Sequence, residues 1–220
     1  MFRASGLYNG VFVMVDDRSG SAWSHLDGSA LNGPLAGEQL DILPLQTTTW
    51  SAWLEEYPDS TTVDVATGYS YGNFVSLGRE GLRGGFLATL DEIDARLLES
   101  ELVIGVLAGD GAEAFPLNRV PAAAPMQNSV GGVAVVVLED SAGVPALAYH
   151  RLLTDGRVLD FERRGEAIYD IQTGSRWNSS GLAVEGELAG VRLAFVTSFF
   201  TEWYGWAAFH PDTTIYGDAT

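Results

Sequence analysis

The chain contains no cysteine and no lysine; all twelve of its basic residues are arginine. The missing cysteine excludes disulfides, a thiolate nucleophile and Cys-based zinc centres, and leaves the redox compartment open. Against twelve cations stand 29 carboxylates, for a net charge of −17. A basic face for phosphate backbones is therefore absent, and no nucleic-acid partner is expected. Such an acidic surface suits a high-salt or GC-rich source, because salt screens acidic self-repulsion. The three histidines, His25, His150 and His210, are scattered and show no ligand spacing, so neither a metal nor a cofactor is expected. No apolar run approaches the roughly 18–20 residues of a membrane-spanning helix, and no membrane insertion is expected. The opening "MFRASGLYNG" lacks the basic-then-apolar layout of a signal peptide.

What the chain does have is glycine, 26 residues of it, and 46% apolar residues, which together suit a turn-rich, strand-rich fold with a real core. It also has six tryptophans in a repeated frame. "WSAWLEEYPD" at 50–59 and "WYGWAAFHPD" at 203–212 share W-x-x-W-x-x-x-x-P-D at an offset of 153. The match extends backwards. Ala30, Gly33, Leu35, Ala36 and Gly37 fall on Ala183, Gly186, Leu188, Ala189 and Gly190 at the same offset of 153, and Gly20 and Trp23 fall on Gly174 and Trp177 at 154. A period this long means two copies of a domain rather than a solenoid. "FRASG" at 2–6 resembles "FERRG" at 161–165, yet the second copy is preceded by some sixty residues of strand-forming sequence and the first only by Met1. The expectation is that the first copy lacks its N-terminal strands, and that a missing upstream segment or a second subunit covers what they would cover.

The coarse pattern is β-rich. "ELVIGVLAG" reads as a strand with "AEAFPLN" as its hairpin partner after Asp110-Gly111, "GGVAVVVLED" as a buried strand, and "ALAYHRLLTDGRVLDFERR" as a hairpin turning at Asp155-Gly156. "VFVMVDDRSGSAWSHL" is a hairpin with its turn at Ser19-Gly20, "LDILPL" a strand, and "STTVDVATGY" a closing strand. "TTTWSAWLEEYP" predicts a short helix with Trp50, Trp53, Leu54 and Tyr57 on one apolar face, and that face is expected to close the core of its copy. "SLGREGLRGGF" reads as a linker and "TLDEIDARLLES" as a short amphipathic helix capped by Thr89.

These stretches carry a resemblance. "SGLYNGVFVMVDDRSGSAWSHLDGSALNGPLAG", the W-x-x-W helix ending in Pro-Asp, "TGYSYG", and "VIGVLAGDGAEAFPLNRV" followed by "NSVGGVAVVV" resemble a prokaryotic family known as domain of unknown function 3179, over nearly the whole chain. The resemblance brings no activity with it. It implies a His-Glu pair where this chain has Ala123 and Ala124, and a Cys-Pro-x-x-Cys-like stretch where it has Asp140 and Gly143. If those polar residues form the family's chemical centre, this chain lacks it.

Among candidate site residues, Trp23 and Trp177 follow the hairpin turn and are expected to be more exposed than the helix tryptophans, as an aromatic platform for a flat ligand. Asp16 and Asp170 recur at the same hairpins, and Asp59 and Asp212 after the helices, where Asp following Pro is a common turn residue. "GYSYG" at 68–72 places Ser70 in the G-x-S-x-G frame of a nucleophile elbow, although "NFVSLGREGLRGG" is a poor candidate for the helix an elbow requires next.

The sequence therefore predicts a β-rich α+β fold of two related units of mainly antiparallel strands, each with a short Trp-containing helix. Residues 1–77 form the first unit without its N-terminal strands, 78–88 a linker, and 89–220 the more complete second unit. The leading function is a non-catalytic binding or structural module, with Trp23, Trp177, Asp16, Asp170 and Ser70 as ligand contacts and an unknown ligand. The alternatives are the C-terminal part of a longer protein whose metal- or thiol-dependent centre lies upstream of Met1, and a hydrolase using Ser70 or an Asp pair.

Overall fold

A computed structural model describes residues 1–45, 48–62, 88–119, 121, 124–139 and 145–218. The first unit begins with four antiparallel strands in sequential order: β1 (Phe2–Tyr8), β2 (Val11–Asp16), β3 (Ala22–Ser24) and β4 (Ala30–Asn32). Helix α1 (Trp50–Glu56) follows. The second unit contains the same four-stranded arrangement as β10 (Phe161–Arg164), β11 (Ala167–Asp170), β12 (Arg176–Trp177) and β13 (Ala183–Glu185). Phe2 pairs with Asp16 as Phe161 pairs with Asp170, and Met14 with Trp23 as Ile168 with Trp177.

Two further sheets are built from the second unit and have no counterpart among the described residues of the first. One has the order β14-β9-β8-β7, from β7 (Met126–Val130), β8 (Val133–Glu139), β9 (Pro145–His150) and β14 (Phe195–Val196). The other has the order β15-β5-β6-β16, from β5 (Leu102–Ala108), β6 (Gly111–Pro116), β15 (Ser198–Glu202) and β16 (Thr214–Ile215), with β16 parallel to β6. Helix α2 (Trp203–Phe209) runs directly on from β15.

Side-chain alternation stacks these layers. On β8, Val136 and Leu138 face the β10–β13 sheet, with Phe161, Ile168, Trp177, Leu188 and Leu193 in one core. Val135 and Val137 face the other way, into a second core with Ile104, Val106 and Phe115. That two-sided burial explains a run of Val where a half-exposed strand would alternate with polar residues. On the far side of the β5–β6 sheet, Val103, Ala114 and Ile215 meet Trp203 and Trp206 of α2. The order of layers is sheet, sheet, sheet, helix. A Cβ on Gly105 would lie 2.1 Å from the Trp206 ring, so only glycine lets the indole lie flat on β5.

The first unit meets this stack at α2. Tyr8 contacts Phe209 edge-on, Gly10 sits against the Tyr204 ring, and Val11 lies beside Gly205. Residues 88–101 strap the junction. Asn9 accepts from the Asp91 N–H, the Trp203 indole donates to the Asp94 carbonyl, and the Arg96 guanidinium reaches the Pro211 and Thr213 carbonyls over the Trp203 ring.

Several expectations need correction. "TLDEIDARLLES" is a set of turns and not a helix, because its backbone and side chains serve the strap: the Asp94 carboxylate accepts from the Arg96 N–H and guanidinium. Thr89 accordingly caps no helix. "LDILPL" is not a strand. At the 153-residue offset its Ile42 and Leu43 match Phe195 and Val196, which pair with Tyr149 and Ala148 of β9; the first unit has no such sheet among the described residues, and a strand needs a partner. The β5–β6 loop is Gly109-Asp110, with Gly111 already in the strand opposite Ala108. The helix at 50–56 forms, but it closes no core: Trp50 is 50% and Trp53 41% exposed, against 0% for both Trp203 and Trp206. "SLGREGLRGGF" and most of "STTVDVATGY" lie outside the described residues.

The two helices should therefore respond differently to truncation. Trp206→Ala is expected to cost ~3–5 kcal/mol of stability by opening a cavity over β5, whereas Trp53→Ala costs less than ~1 kcal/mol. Chemical denaturation of the two variants reads the difference.

Candidate functional site

The recurring polar residues converge on one local motif, D-x-x-[S/T]-G-S-x-W, read as "DDRSGSAW" at 16–23 and "DIQTGSRW" at 170–177. Gly20 and Gly174 take left-handed φ of 74° and 69°, which folds the turn back over its own aspartate. Asp16 then accepts from the Ser19 N–H at 2.7 Å and from the Trp23 indole at 3.0 Å. Asp170 accepts from the Thr173 N–H at 2.6 Å and from the Trp177 indole at 2.9 Å. The hydroxyls of Ser19 and Thr173 donate to the same carboxylates and lie 2.8 and 2.7 Å from the buried Ser21 and Ser175 hydroxyls. Those serines accept from the Leu35 and Leu188 N–H groups, at 3.0 and 2.9 Å. A Cβ on Gly33 or Gly186 would lie 2.7 Å from the serine Cα beneath it. Each occurrence of the motif thus ties a turn, the next strand and a distant loop through one carboxylate and one hydroxyl.

This arrangement overturns the expected exposure of the hairpin tryptophans. Trp23 is 5% and Trp177 3% exposed, because the carboxylate supplies the one partner an indole N–H needs and lets the rest of the ring go inside. Phe2 and Phe161 lie edge-on to them at 6.4 and 5.8 Å. The Ser19 hydroxyl and N–H and the Trp23 indole hold the Asp16 carboxyl well below the usual carboxylate range. Ser70 lies outside the described residues, as do Ala123, Asp140 and Gly143.

Above the motif the two sheets diverge. The second-unit sheet is covered by β7–β9 and β14, whereas three matching positions of the first unit are partly exposed, Phe2 at 45%, Leu35 at 39% and Leu40 at 37%, against 1%, 5% and 3% for Phe161, Leu188 and Leu193.

Other polar groups carry no recurring signal in the sequence. His210 lies tilted against Trp206 at 4.1 Å as Tyr57 lies tilted against Trp53 at 4.3 Å, which is the aromatic role its alignment with Tyr57 implies. Loss of solvent lowers its pKa, partly opposed by Asp27. It borders a cleft of about 420 Å³ with Asp110, Ser129, Asp212 and Thr213. Glu139 and Arg163 form an ion pair at 2.9 Å, with the Glu139 side chain only 4% exposed. Among the described residues no group of three or more His, Cys, Asp or Glu could hold a metal ion.

Glu113, 3% exposed on β6, accepts from the Asn128 amide at 2.8 Å, and burial pushes its carboxyl above the ordinary range. The raised value means that the fold binds this proton more tightly than the unfolded chain does. Its stabilising contribution is therefore complete below the ordinary glutamate value of 4.5 and is lost as pH rises through the folded value. Glu113→Gln is expected to raise the Tm at pH 7, and the gain should vanish near pH 4. At the motif, Asp170→Ala leaves the Trp177 indole without its acceptor and is expected to cost ~1–3 kcal/mol in a urea melt.

No curated protein and no solved structure matches the chain. A family model described as protein of unknown function (DUF3179) matches residues 1–213. With the long motifs that carry the resemblance lying inside that span, the chain belongs to the DUF3179 family.

Proposed function

We propose that the chain is a non-catalytic binding or structural module, made of two duplicated units whose boundary falls at 78–88. The observation that carries this reading is the use of the recurring polar residues. Asp16, Asp170, Ser21 and Ser175 all spend their hydrogen bonds on their own turns, strands and loops. Duplication is supported by the matched ladders, the matched indole–carboxylate bonds and the matched glycines over serine Cα atoms.

On this reading Trp23, Trp177, Asp16 and Asp170 hold the units together. Contact with other molecules falls instead on the apolar positions that only the first unit leaves in solvent: Phe2, Leu35 and Leu40 on the sheet, and Trp50, Trp53 and Tyr57 around α1. The net charge of −17 favours a high-salt setting, where self-repulsion is screened over a few ångströms.

The test is an activity panel of esters, amides, glycosides and phosphoesters on the purified chain, with and without divalent metals. No turnover above buffer is expected, no labelling of Ser70 by a fluorophosphonate, and no change in Ser70→Ala. Sustained turnover lost in Ser70→Ala or in Asp59→Asn would replace this reading with a hydrolase. A second outcome concerns salt: the Tm is expected to rise between 0.1 and about 1 M KCl, because screening relieves the acidic surface.

A further inference from the structure

We propose that Asn32-Gly33 is a self-modification site: the Gly33 nitrogen closes on the Asn32 side chain, expels ammonia, and leaves an aspartate or an isoaspartate at position 32. The chain holds two Asn-Gly pairs, and the fold exposes this one to reaction while protecting the other, Asn9-Gly10.

An asparagine followed by glycine has a nucleophile in its own main chain, and glycine brings no Cβ to block the approach. The reaction needs the following nitrogen to lie against the side-chain carbonyl group, as any near-attack arrangement does. Asn32 has this arrangement. Gly33 donates its N–H to the Oδ1 of Asn32 at 2.5 Å, so the nitrogen and the carbonyl group touch. Both residues are exposed at the end of β4, where solvent reaches them.

The atoms balance with water as the only co-reactant. The Gly33 N–H gives its proton to water or hydroxide, and the nitrogen electron pair forms a bond to Asn32 Cγ. The Cγ–Nδ2 bond breaks, and Nδ2 leaves as ammonia with a proton from solvent. Water then opens the succinimide. Attack at Cγ restores the ordinary linkage and gives aspartate. Attack at the main-chain carbonyl leaves the chain running through Cγ and gives isoaspartate. Nothing is oxidised or reduced.

Asn9-Gly10 has the same two residues and the opposite surroundings. The Oδ1 of Asn9 accepts from the Asp91 N–H at 3.1 Å, which turns it toward the strap. Asn9 is fixed at a φ of 46°, and Gly10 is buried, with a Cβ position 2.7 Å from the Tyr204 ring. That backbone has no room to bring the Gly10 nitrogen onto the side chain. In the second unit the place of Asn32 belongs to Glu185, which has no ammonia to lose and is held by Arg176 at 3.0 Å. The chemistry is private to the first unit.

The position also decides what the reaction does. Gly33 lies on Ser21, whose hydroxyl accepts from the Leu35 N–H. An isoaspartate lengthens the main chain immediately before that contact, and either product adds negative charge to a chain already at −17. The modification therefore loosens the loop that Ser21 holds, and it leaves the matching Ser175–Leu188 bond untouched.

The experiment incubates the full chain at neutral and at mildly alkaline pH, folded and in urea, and follows both asparagines by peptide mass mapping with fragmentation. Conversion shows as a mass gain with an added negative charge, and isoaspartate by the fragment ions of its altered linkage. In the folded chain Asn32 is expected to convert roughly ten-fold faster than Asn9 or more, and faster at the higher pH. In urea the two sites are expected to convert at comparable rates, because only the fold distinguishes them. Asn32→Gln, a change at an exposed position that keeps the amide, is expected to remove the product at 32 and keep the Tm. In converted protein, separated by its added charge, the Leu35 N–H is expected to exchange faster and the Leu188 N–H at its former rate. Asn9 converting as fast as Asn32 in the folded chain overturns the proposal. So does a folded chain in which Asn32 stays intact while the unfolded chain converts, or a ten-fold gap that survives in urea. Unchanged Leu35 exchange in the converted protein overturns the loosening. None of these outcomes bears on turnover, so the site and the non-catalytic reading fail separately.

Discussion

An aspartate that accepts an indole N–H seven residues ahead organises both units. The Asp–Trp bond lets a tryptophan go inside at a place where a hairpin turn would otherwise leave it in water. Once the ring is inside, the Phe edge packs on it, and the serine between them is sealed from solvent. That serine in turn fixes a loop fourteen residues away in the first unit and thirteen in the second, through the Leu35 and Leu188 N–H groups. The glycines at 33 and 186 follow from the same constraint, since a side chain there would strike the serine backbone. One carboxylate therefore explains why so many positions of the repeat are alike: each touches the turn, the ring or the serine.

The same local machinery meets two different surroundings. In the second unit the sheet above the motif is packed from both sides, through the alternating valines of β8, and the Trp helix lies flat on the β5–β6 sheet over Gly105. In the first unit no such layers occur among the described residues, and Phe2, Leu35, Leu40, Trp50 and Trp53 are 37–50% exposed while Trp23 is buried. The contrast separates what is local from what is tertiary. Hydrogen bonds within the motif are indifferent to the covering layer, so the β1–β4 sheet keeps its register. Trp203 and Trp206 are buried against the β5–β6 sheet, and among the described residues no sheet lies against Trp50 and Trp53.

Much of this was legible in the residues. The hairpin at 102–116, the buried valine strand and both Trp helices could be read from spacing and turn residues, because each rests on short-range pattern. The arms of the hairpin expected over 146–164 instead go to different sheets, β9 beside β8 and β10 beside β11, and meet at a Leu152–Val158 bridge. The positions that misled are those where a distant partner decides. "TLDEIDARLLES" has helical periodicity, yet Trp203 and Arg96 draw it into a strap around α2. "LDILPL" has a strand's composition and no strand to pair with. Trp23 and Trp177 looked exposed because they follow a turn, and the sequence holds no direct sign that Asp16 and Asp170 fold back onto them; the recurrence of aspartate and tryptophan at one spacing was the available clue. Glu113 and His210 had no such clue, since their environment is made by strands and loops far away in the chain.

The claim on which the rest depends is that Trp23 and Trp177 are bonded and buried in the same way. Hydrogen exchange of the indole N–H protons, followed by nuclear magnetic resonance with assignment by single Trp→Phe variants, measures this directly. The account predicts that the Trp23 and Trp177 protons exchange far more slowly than that of the half-exposed Trp50, and that Asp16→Ala and Asp170→Ala each speed the exchange of their own partner alone. If Trp23 or Trp177 exchanges as fast as Trp50 in the unmodified protein, the carboxylate–indole bond does not organise that unit and the account is wrong.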